Sequence, residues 1–213
     1  MANPTSNGNA GQAGAKQHAP ATARNSEAIL AVLQQELPEW GTVLEVASGS
    51  GEHAIYFAHN LSALSWLPSD PNDQALASIT AYREDFEGIN LREPVTLDAS
   101  QPATWPIIRA DAIVCINMVH ICPWAATEGL FKGAEQVLGE MDMPVVLYGP
   151  YIEQGVETMA SNLRFDASLK SRNPKWGLRD VAAMDELASA HSFARTARIA
   201  MPANNLMLVY RRS

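Results

Sequence analysis

A glycine-containing turn at residues 48–51 follows a short apolar run and precedes a segment with helical periodicity. Glycines in such a turn adopt backbone angles closed to other residues and let a ligand lie against the main chain. Strand, glycine turn and helix in this order are typical of a nucleotide cradle, although plain strand-to-helix connections also use glycine turns. The segment therefore predicts a nucleoside site at Gly49 and Gly51.

An acidic residue follows at the spacing that ribose recognition requires. The strand-like run at residues 64–70 ends in Asp70, nineteen residues beyond Gly51. In βαβ nucleoside sites a carboxylate about 20 residues after the glycine turn binds the ribose hydroxyls. The alternative is that Asp70 caps a turn and binds no ligand.

Two further residues favour S-adenosylmethionine (SAM) over a dinucleotide. Ala47 stands where a fuller dinucleotide signature has its first glycine, and Glu45 lies just before the turn. A carboxylate there would repel a pyrophosphate but could accept hydrogen bonds from the ammonium group of SAM, directly or through water. The alternative is an exposed Glu45 without a ligand.

Composition limits the classes of protein to consider. The 213 residues, 47% of them apolar, suffice for one well-buried domain. A net charge of −8 disfavours broad nucleic-acid binding and makes a small molecule or a protein the expected partner. No apolar run reaches the length of a membrane span and the N-terminus has no signal-peptide pattern, so we expect a cytoplasmic protein. The oligomeric state cannot be derived.

Metal binding is not expected. Cys115 and Cys122 lack the paired spacing of a zinc site. His53 and His59 lie six residues apart and do not stack on one helical face, so surface or capping roles are favoured for both.

The helices and strands predicted around these residues indicate an α/β fold. Residues 1–20 are predicted to be a flexible tail, and residues 21–213 to be one domain that begins with a helix capped by Asn25 or Ser26. Five strands alternate with helices, and strands at residues 192–199 and 205–211 close the chain as an antiparallel hairpin. We predict a Rossmann-like, seven-stranded, mostly parallel sheet with helices on both faces, which is the plan of a class I methyltransferase rather than of a dehydrogenase.

Polar residues at strand exits and in two predicted lid loops, residues 161–166 and 173–180, are candidates for contacts around the reacting group. His120 could be a general base or a hydrogen-bonded structural histidine, and Asp166 and Arg179 could bind substrate or pair with each other. Asp98 could accept a hydrogen bond from an adenine amine or cap a turn. The candidates are His120 and Tyr151 as catalytic residues, and Asn25, Tyr148, Asn162, Asp166, Arg179 and Asn204 as substrate contacts.

Eight motifs in the same order resemble the methyltransferase-like 26 family, a branch of the class I SAM-dependent methyltransferases. They are VLEVASGSGEHA, LSWLPSD, CINMVHICPW, TEGLFKGA, YGPY, SN followed by FD, RNPKWGLRD and MPANN. The resemblance spans residues 20–212 and implies a SAM site. It implies that Glu45, Ala47, Ser48, Gly49 and Gly51 surround the methionine part, that Asp70 binds the ribose, that Asp98 and Ala99 flank the adenine, and that Asn117 and Met118 line the cofactor's side.

The leading hypothesis is thus a SAM-dependent methyltransferase acting on a small molecule that the sequence does not identify. Methyl transfer from a sulfonium depends chiefly on alignment and exclusion of water, with a general base needed only for a protonated nucleophile. A non-catalytic SAM-binding module is the alternative. A nucleotide-dependent oxidoreductase is disfavoured by Glu45 and by the closing hairpin.

Overall fold

The strands alternate with helices through most of the chain. The computed structural model describes residues 15–139 and 142–212. The strands are β1 (Gly41–Val46), β2 (Leu64–Asp70), β3 (Val95–Thr96), β4 (Ala112–Ile116), β5 (Val145–Gly149), β6 (Tyr151–Ile152), β7 (Arg179–Asp180), β8 (Phe193–Met201) and β9 (Asn205–Arg212). The helices are α1 (Thr22–Glu36), α2 (Glu52–Asn60), α3 (Asp73–Glu84), α4 (Trp124–Val137), α5 (Ala160–Arg172) and α6 (Val181–Ala190). Within the described residues, no helix is both long and apolar enough to cross a membrane.

Seven of the strands form one sheet in the order β3-β2-β1-β4-β5-β9-β8. The five strands from β3 to β5 are parallel. β9 runs antiparallel to β5 and pairs with β8 as an antiparallel hairpin. The predicted seven-stranded sheet with a closing hairpin is therefore confirmed.

Successive side chains of the central strands point to opposite faces of the sheet, so each face has its own hydrophobic core. Val43 of β1 packs with α1 and α2 on one face, whereas Leu44 packs with α4 and α6 on the other. Both side chains are fully buried. Helices on both faces, as predicted, thus hold the sheet and fix the loops at its carboxyl edge.

Two predicted local features are wrong. The first helix begins at Thr22 after Ala21, not at a cap formed by Asn25 or Ser26. The hydroxyl of Ser26 bonds back to the Thr22 carbonyl, and Asn25 is engaged elsewhere. The predicted lid loop at residues 161–166 is part of α5. Only two residues of this helix are buried, so its sequence needs few apolar residues and shows little helical periodicity.

Residues just before α1 contact the domain although they were assigned to the flexible tail. The Gln17 backbone N–H donates to the Ser78 hydroxyl at 2.8 Å, and the Ala19 N–H donates to the Glu52 carboxylate at 2.6 Å. His18 also pairs with Glu52. These contacts extend the folded chain beyond the boundary predicted at residue 21, while residues 1–14 lie outside the described part.

Candidate functional site

The carboxyl ends of the parallel strands carry most of the predicted site residues. Three of the connections at this edge contain non-glycine residues with positive φ: Ala47 after β1 (φ 60°), Asn117 after β4 (φ 63°), and Ala203 with Asn204 in the β8–β9 turn (φ 57° and 59°). Left-handed backbone costs free energy outside glycine and clusters at functional sites. This edge is therefore the place to look for a binding site.

The turn after β1 leaves its main chain open. The Gly49 N–H donates to Asp70 Oδ2 at 3.0 Å, and the Ser48 N–H donates to the Ser69 carbonyl at 2.8 Å. A methyl group built on Gly49 would meet no atom within 4 Å, and its φ is 57°. The turn is thus held against β2 while one side of it stays free for a ligand.

Gly51 has a packing role. A Cβ there would lie 2.9 Å from the Ile79 Cα, and its φ of 89° is the left-handed conformation that favours glycine. Gly51 also caps the N-terminus of α2. The close approach of α2 and α3 therefore accounts for this glycine without any ligand.

Asp70 lies at the end of β2 with acceptor capacity to spare. Oδ1 accepts from the Asn72 N–H at 3.0 Å and Oδ2 from the Gly49 N–H. A carboxylate offers about four acceptor positions, so two hydroxyl groups can still be bound. Burial raises the pKa of Asp70, and the two backbone hydrogen bonds oppose that rise.

A cavity of about 370 Å³ opens beside this turn on the α4 side of the sheet. Four of the predicted cofactor residues, Ala47, Asp98, Ala99 and Met118, line it. Its other walls are mainly apolar and come from Val46, Pro71, Leu97, Ser100, Cys122, Pro123, Ala125 and Ala126. The cavity is suited to a mostly apolar group.

Among the described residues, the Asp98 carboxylate accepts hydrogen bonds only from Ser100 and Gln101. Oδ1 accepts from the Ser100 N–H at 2.8 Å and from its hydroxyl at 2.7 Å, and Oδ2 accepts from the Gln101 side chain at 3.1 Å. The Ser100 hydroxyl is the main cause of a lowered pKa for Asp98. These bonds are those of a turn cap, and an adenine contact by Asp98 stays a prediction.

Glu45 is buried on the α1 and α2 side of β1, not exposed. It is 2% exposed, and Trp66 Nε1 donates to its Oε2 at 2.9 Å. Burial raises the pKa of Glu45 to about 7, against the opposing hydrogen bonds from Trp66 and Ser48. A cation beside Glu45 would favour the ionised carboxylate.

His120 and Tyr151 lie together in the interior. Their rings meet edge to face with centroids 4.7 Å apart, and His120 is fully buried. Neither His120 ring nitrogen nor the Tyr151 hydroxyl has a hydrogen-bond partner among the described residues. Burial lowers the pKa of His120 to about 3, with Arg179 adding to the effect. The catalytic roles of both residues stay predictions.

A polar cluster that sequence reasoning missed joins α1, α2 and β5. His53 Nε2 lies 2.9 Å from Asn25 Oδ1. Burial raises the pKa of the Tyr148 hydroxyl, and Asn25 opposes that rise. Asn25 and Tyr148 were predicted as substrate contacts, but His53 was set aside. The histidine is half-buried, and burial lowers its pKa to about 4.

The remaining candidates bind other parts of the chain. Asn162 donates to the Asn204 carbonyl at 2.9 Å. Asp166 accepts from the Leu178 N–H at 2.9 Å and pairs with Lys170. The predicted pairing of Asp166 with Arg179 is not observed.

Arg179 fixes the loop between β4 and α4. Its Nε donates to the Val119 carbonyl and its Nη2 to the Cys122 carbonyl, each at 2.7 Å. Its guanidinium also lies over the Trp124 ring, 5.4 Å from the centroid. The fork geometry suits two carbonyls at once. Arg179 thus positions a loop that borders the 370 Å³ cavity.

A second cavity, of about 320 Å³, lies beyond β5 at the same edge. Tyr151, Asn162 and Asn204 line it, together with the ion pair of Glu153 and Arg198. The structure therefore places some of the predicted residues at the 370 Å³ cavity, some in the Asn25 cluster and some at this second cavity, while His120 lies inside the core.

Comparison with known proteins gives a family and a fold. The model of the family described as protein of unknown function, DUF938, matches residues 16–212. Human N-acetylserotonin methyltransferase in complex with SAM superposes with a TM-score of 0.74 at 10% identity, covering 91% of this chain and 54% of that one. An O-methyltransferase family 2 protein from Planctomyces limnophilus in complex with apigenin gives 0.71 at 13% identity, covering 88% and 62%. A protein from Pyrococcus horikoshii gives 0.69 at 15% identity, covering 92% and 93%.

These likenesses establish the class I methyltransferase fold. The chain spans little more than half the length of the human and Planctomyces proteins. It spans nearly the whole Pyrococcus protein.

Proposed function

The chain belongs to the DUF938 family of proteins of unknown function, and from that premise we propose that it is a SAM-dependent methyltransferase acting on a small molecule. The observation that carries the proposal is the 370 Å³ cavity, because four of the residues that the family resemblance implies as cofactor contacts line it. It lies at the carboxyl edge of the sheet, where open α/β folds bind ligands.

The residues present fit the three parts of SAM. The apolar cavity suits the adenine, and the spare acceptor positions of Asp70 suit the ribose hydroxyls. Gly49 offers an open main chain for the methionine part. A cationic methionine part near the buried Glu45 would favour its ionised form, directly or through water.

Bound SAM would supply a methyl group activated by a sulfonium. The chain contributes binding, orientation and exclusion of water, which can provide most of the rate enhancement in such a transfer. Asp70 would fix the ribose, and the walls around Met118 would fix the adenine plane. Arg179 would keep the β4–α4 loop closed over this position.

The known proteins add support. The human neighbour binds SAM and the Planctomyces neighbour binds apigenin, a polyphenol. On this basis we propose SAM as the cofactor of this chain and a small molecule as its methyl acceptor. We also propose that the chain is related to the methyltransferase-like 26 family, because it shares the eight sequence motifs.

Calorimetry with SAM and S-adenosylhomocysteine (SAH) tests the cofactor assignment. We expect saturable binding of both to the purified chain, and no comparable binding of NADH. Binding of NADH in place of SAM and SAH would overturn the proposal, since the same sheet edge would then serve a dinucleotide.

A further inference from the structure

The second cavity lies outside the proposed cofactor site. It borders the ends of β6 and β8 and the starts of α5 and β9, whereas the 370 Å³ cavity borders β1 and the β4–α4 loop. Among the described residues, none lines both cavities. A volume of about 320 Å³ lies at the lower end of the range of small-molecule sites. The second cavity is therefore a candidate for a separate small ligand.

Two asparagines present hydrogen-bond acceptors to the second cavity. Asn162 Nδ2 donates to the Asn204 carbonyl at 2.9 Å, and Asn205 Nδ2 donates to the Pro202 carbonyl at 3.0 Å. A carbonyl only accepts, so each of these bonds fixes which end of the side-chain amide is the nitrogen. Both asparagines line the cavity, and their Oδ1 atoms are left as acceptors.

The Asn162 oxygen lacks a donor within the described part of the chain. Asn162 is only 7% exposed, and no described residue donates a hydrogen bond to its Oδ1. Oδ1 is nevertheless not among the fully enclosed polar atoms without a partner, so it stays reachable from the cavity that Asn162 lines. A nearly buried acceptor without a donor is unfavourable unless a ligand or water supplies the hydrogen.

The charged groups of the second cavity leave an excess of negative charge. Arg198 donates to both carboxylate oxygens of Glu153 through Nε and Nη2, so this pair is neutral. Glu157 also lines the cavity and has no cationic partner among the described residues. Vacant acceptors beside an unpaired carboxylate favour a cation that donates hydrogen bonds, and they disfavour an anion.

Apolar side chains form much of the remaining wall. Ala200, Met201 and Leu206 belong to β8 and β9. Val156 and Met159 also line the cavity, although 58% and 52% of their surfaces are exposed to solvent. Covering such side chains with an apolar group is favourable, because it removes apolar surface from water. The cavity therefore matches a molecule with a donor cation at one end and an apolar group at the other.

We propose that the second cavity is a binding site for a small organic ammonium ion that carries an apolar substituent. The ammonium group donates to the Oδ1 atoms of Asn162 and Asn205, and the substituent covers Val156 and Met159. The proposal goes beyond the methyltransferase function, because it concerns a different cavity and a binding step without chemistry.

Ligand-observed NMR of the full chain near neutral pH tests the ligand class with three probes of similar shape. 2-Phenylethylamine carries an ammonium group, 2-phenylethanol a neutral hydroxyl, and 3-phenylpropanoate a carboxylate. We expect the amine to bind at least about tenfold more tightly than the alcohol, and the carboxylate to bind more weakly than either. Equal affinities of amine and alcohol, tighter binding of the carboxylate, or no binding of the amine would overturn the proposal.

Variants assign the binding to the second cavity. Asn162→Leu removes the vacant acceptor at nearly constant volume and should weaken binding of 2-phenylethylamine about tenfold or more. Glu157→Gln removes an exposed charge and should weaken it about twofold to threefold. The matched control is Glu128→Gln, an exposed glutamate of α4 that does not line the cavity, and it should bind the amine normally.

Two further points keep the assignment falsifiable. Asn162→Leu also loses the hydrogen bond to Asn204, so circular dichroism verifies folding, and Asn205→Ala replaces it if it misfolds. If the folded asparagine variant binds the amine as tightly as the unmodified chain, or if Glu128→Gln weakens binding as much as Glu157→Gln, the general negative charge of the chain holds the amine and the assignment fails. None of these measurements uses SAM, so they stand apart from the test of the proposed function.

Discussion

Gly49 and Gly149 lie at the same edge of the sheet in opposite surroundings. A methyl group on Gly49 would meet nothing within 4 Å, whereas on Gly149 it would lie 2.3 Å from His120 Nε2. Around the turn after β1 the main chain is open, and the Asp70 carboxylate has unused hydrogen-bond acceptor positions. At the end of β5 the His120 ring fills the space beside Gly149. The first position has room for a ligand, whereas the second is occupied by a side chain of the protein itself.

The largest expected effect concerns Asp70 in the open region. Asp70→Ala removes both acceptors for the ribose hydroxyls, and charge-assisted hydrogen bonds contribute about 1.5–3 kcal/mol each, so SAM affinity should fall about 100-fold or more. Calorimetry measures it. Asp73→Ala, an exposed acidic residue in the first turn of α3, is the matched control and should bind SAM normally. Equal affinity in both variants would contradict a ribose site at Asp70.

The two glycines give the direct test of the comparison. Gly149→Ala should lower the free energy of unfolding by about 2–3 kcal/mol, because His120 is enclosed and must shift. Gly49→Ala should cost about 1 kcal/mol for its positive φ, yet abolish most SAM binding by covering the open main chain. Urea unfolding measures the free energy of unfolding of both variants, and calorimetry measures their SAM binding. If His120→Ala combined with Gly149→Ala does not recover stability, the packing explanation fails.

Glu45 adds a pH dependence to the open region. Its folded pKa of about 7 lies above the ordinary value, so the folded state holds a proton that the unfolded state loses between pH 4.5 and 7. Stability from this group is therefore present below pH 4.5 and lost as pH rises to about 7.

Ligand binding should show the opposite trend. A cationic ligand favours the ionised carboxylate, so SAM affinity should be about tenfold weaker at pH 6 than at pH 8. Calorimetry at several pH values measures this slope. Glu45→Gln should flatten it, and an unchanged slope in that variant would assign the effect to another group.

Sequence patterns predicted the open region better than the filled one. Gly49 and Asp70 could be predicted from local spacing, because both lie within one βαβ unit. His53 was missed since its partner Asn25 is 28 residues away, and no local pattern encodes that hydrogen bond. The helix α5 was missed because its apolar periodicity is weak, with only Asn162 and Leu169 buried.

The smallest expected effect concerns Arg179, which holds the filled region beside the cavity. Arg179→Lys should lower the free energy of unfolding by about 1 kcal/mol, because an ammonium cannot donate to the Val119 and Cys122 carbonyls in the same fork. Urea unfolding measures it, with Arg172→Lys, an exposed arginine at the end of α5, as the control. SAM affinity should fall about threefold to tenfold, because Met118 and Cys122 of the loop that Arg179 holds line the 370 Å³ cavity. Unchanged affinity with lowered stability would show that the loop keeps its position at the cavity without the guanidinium.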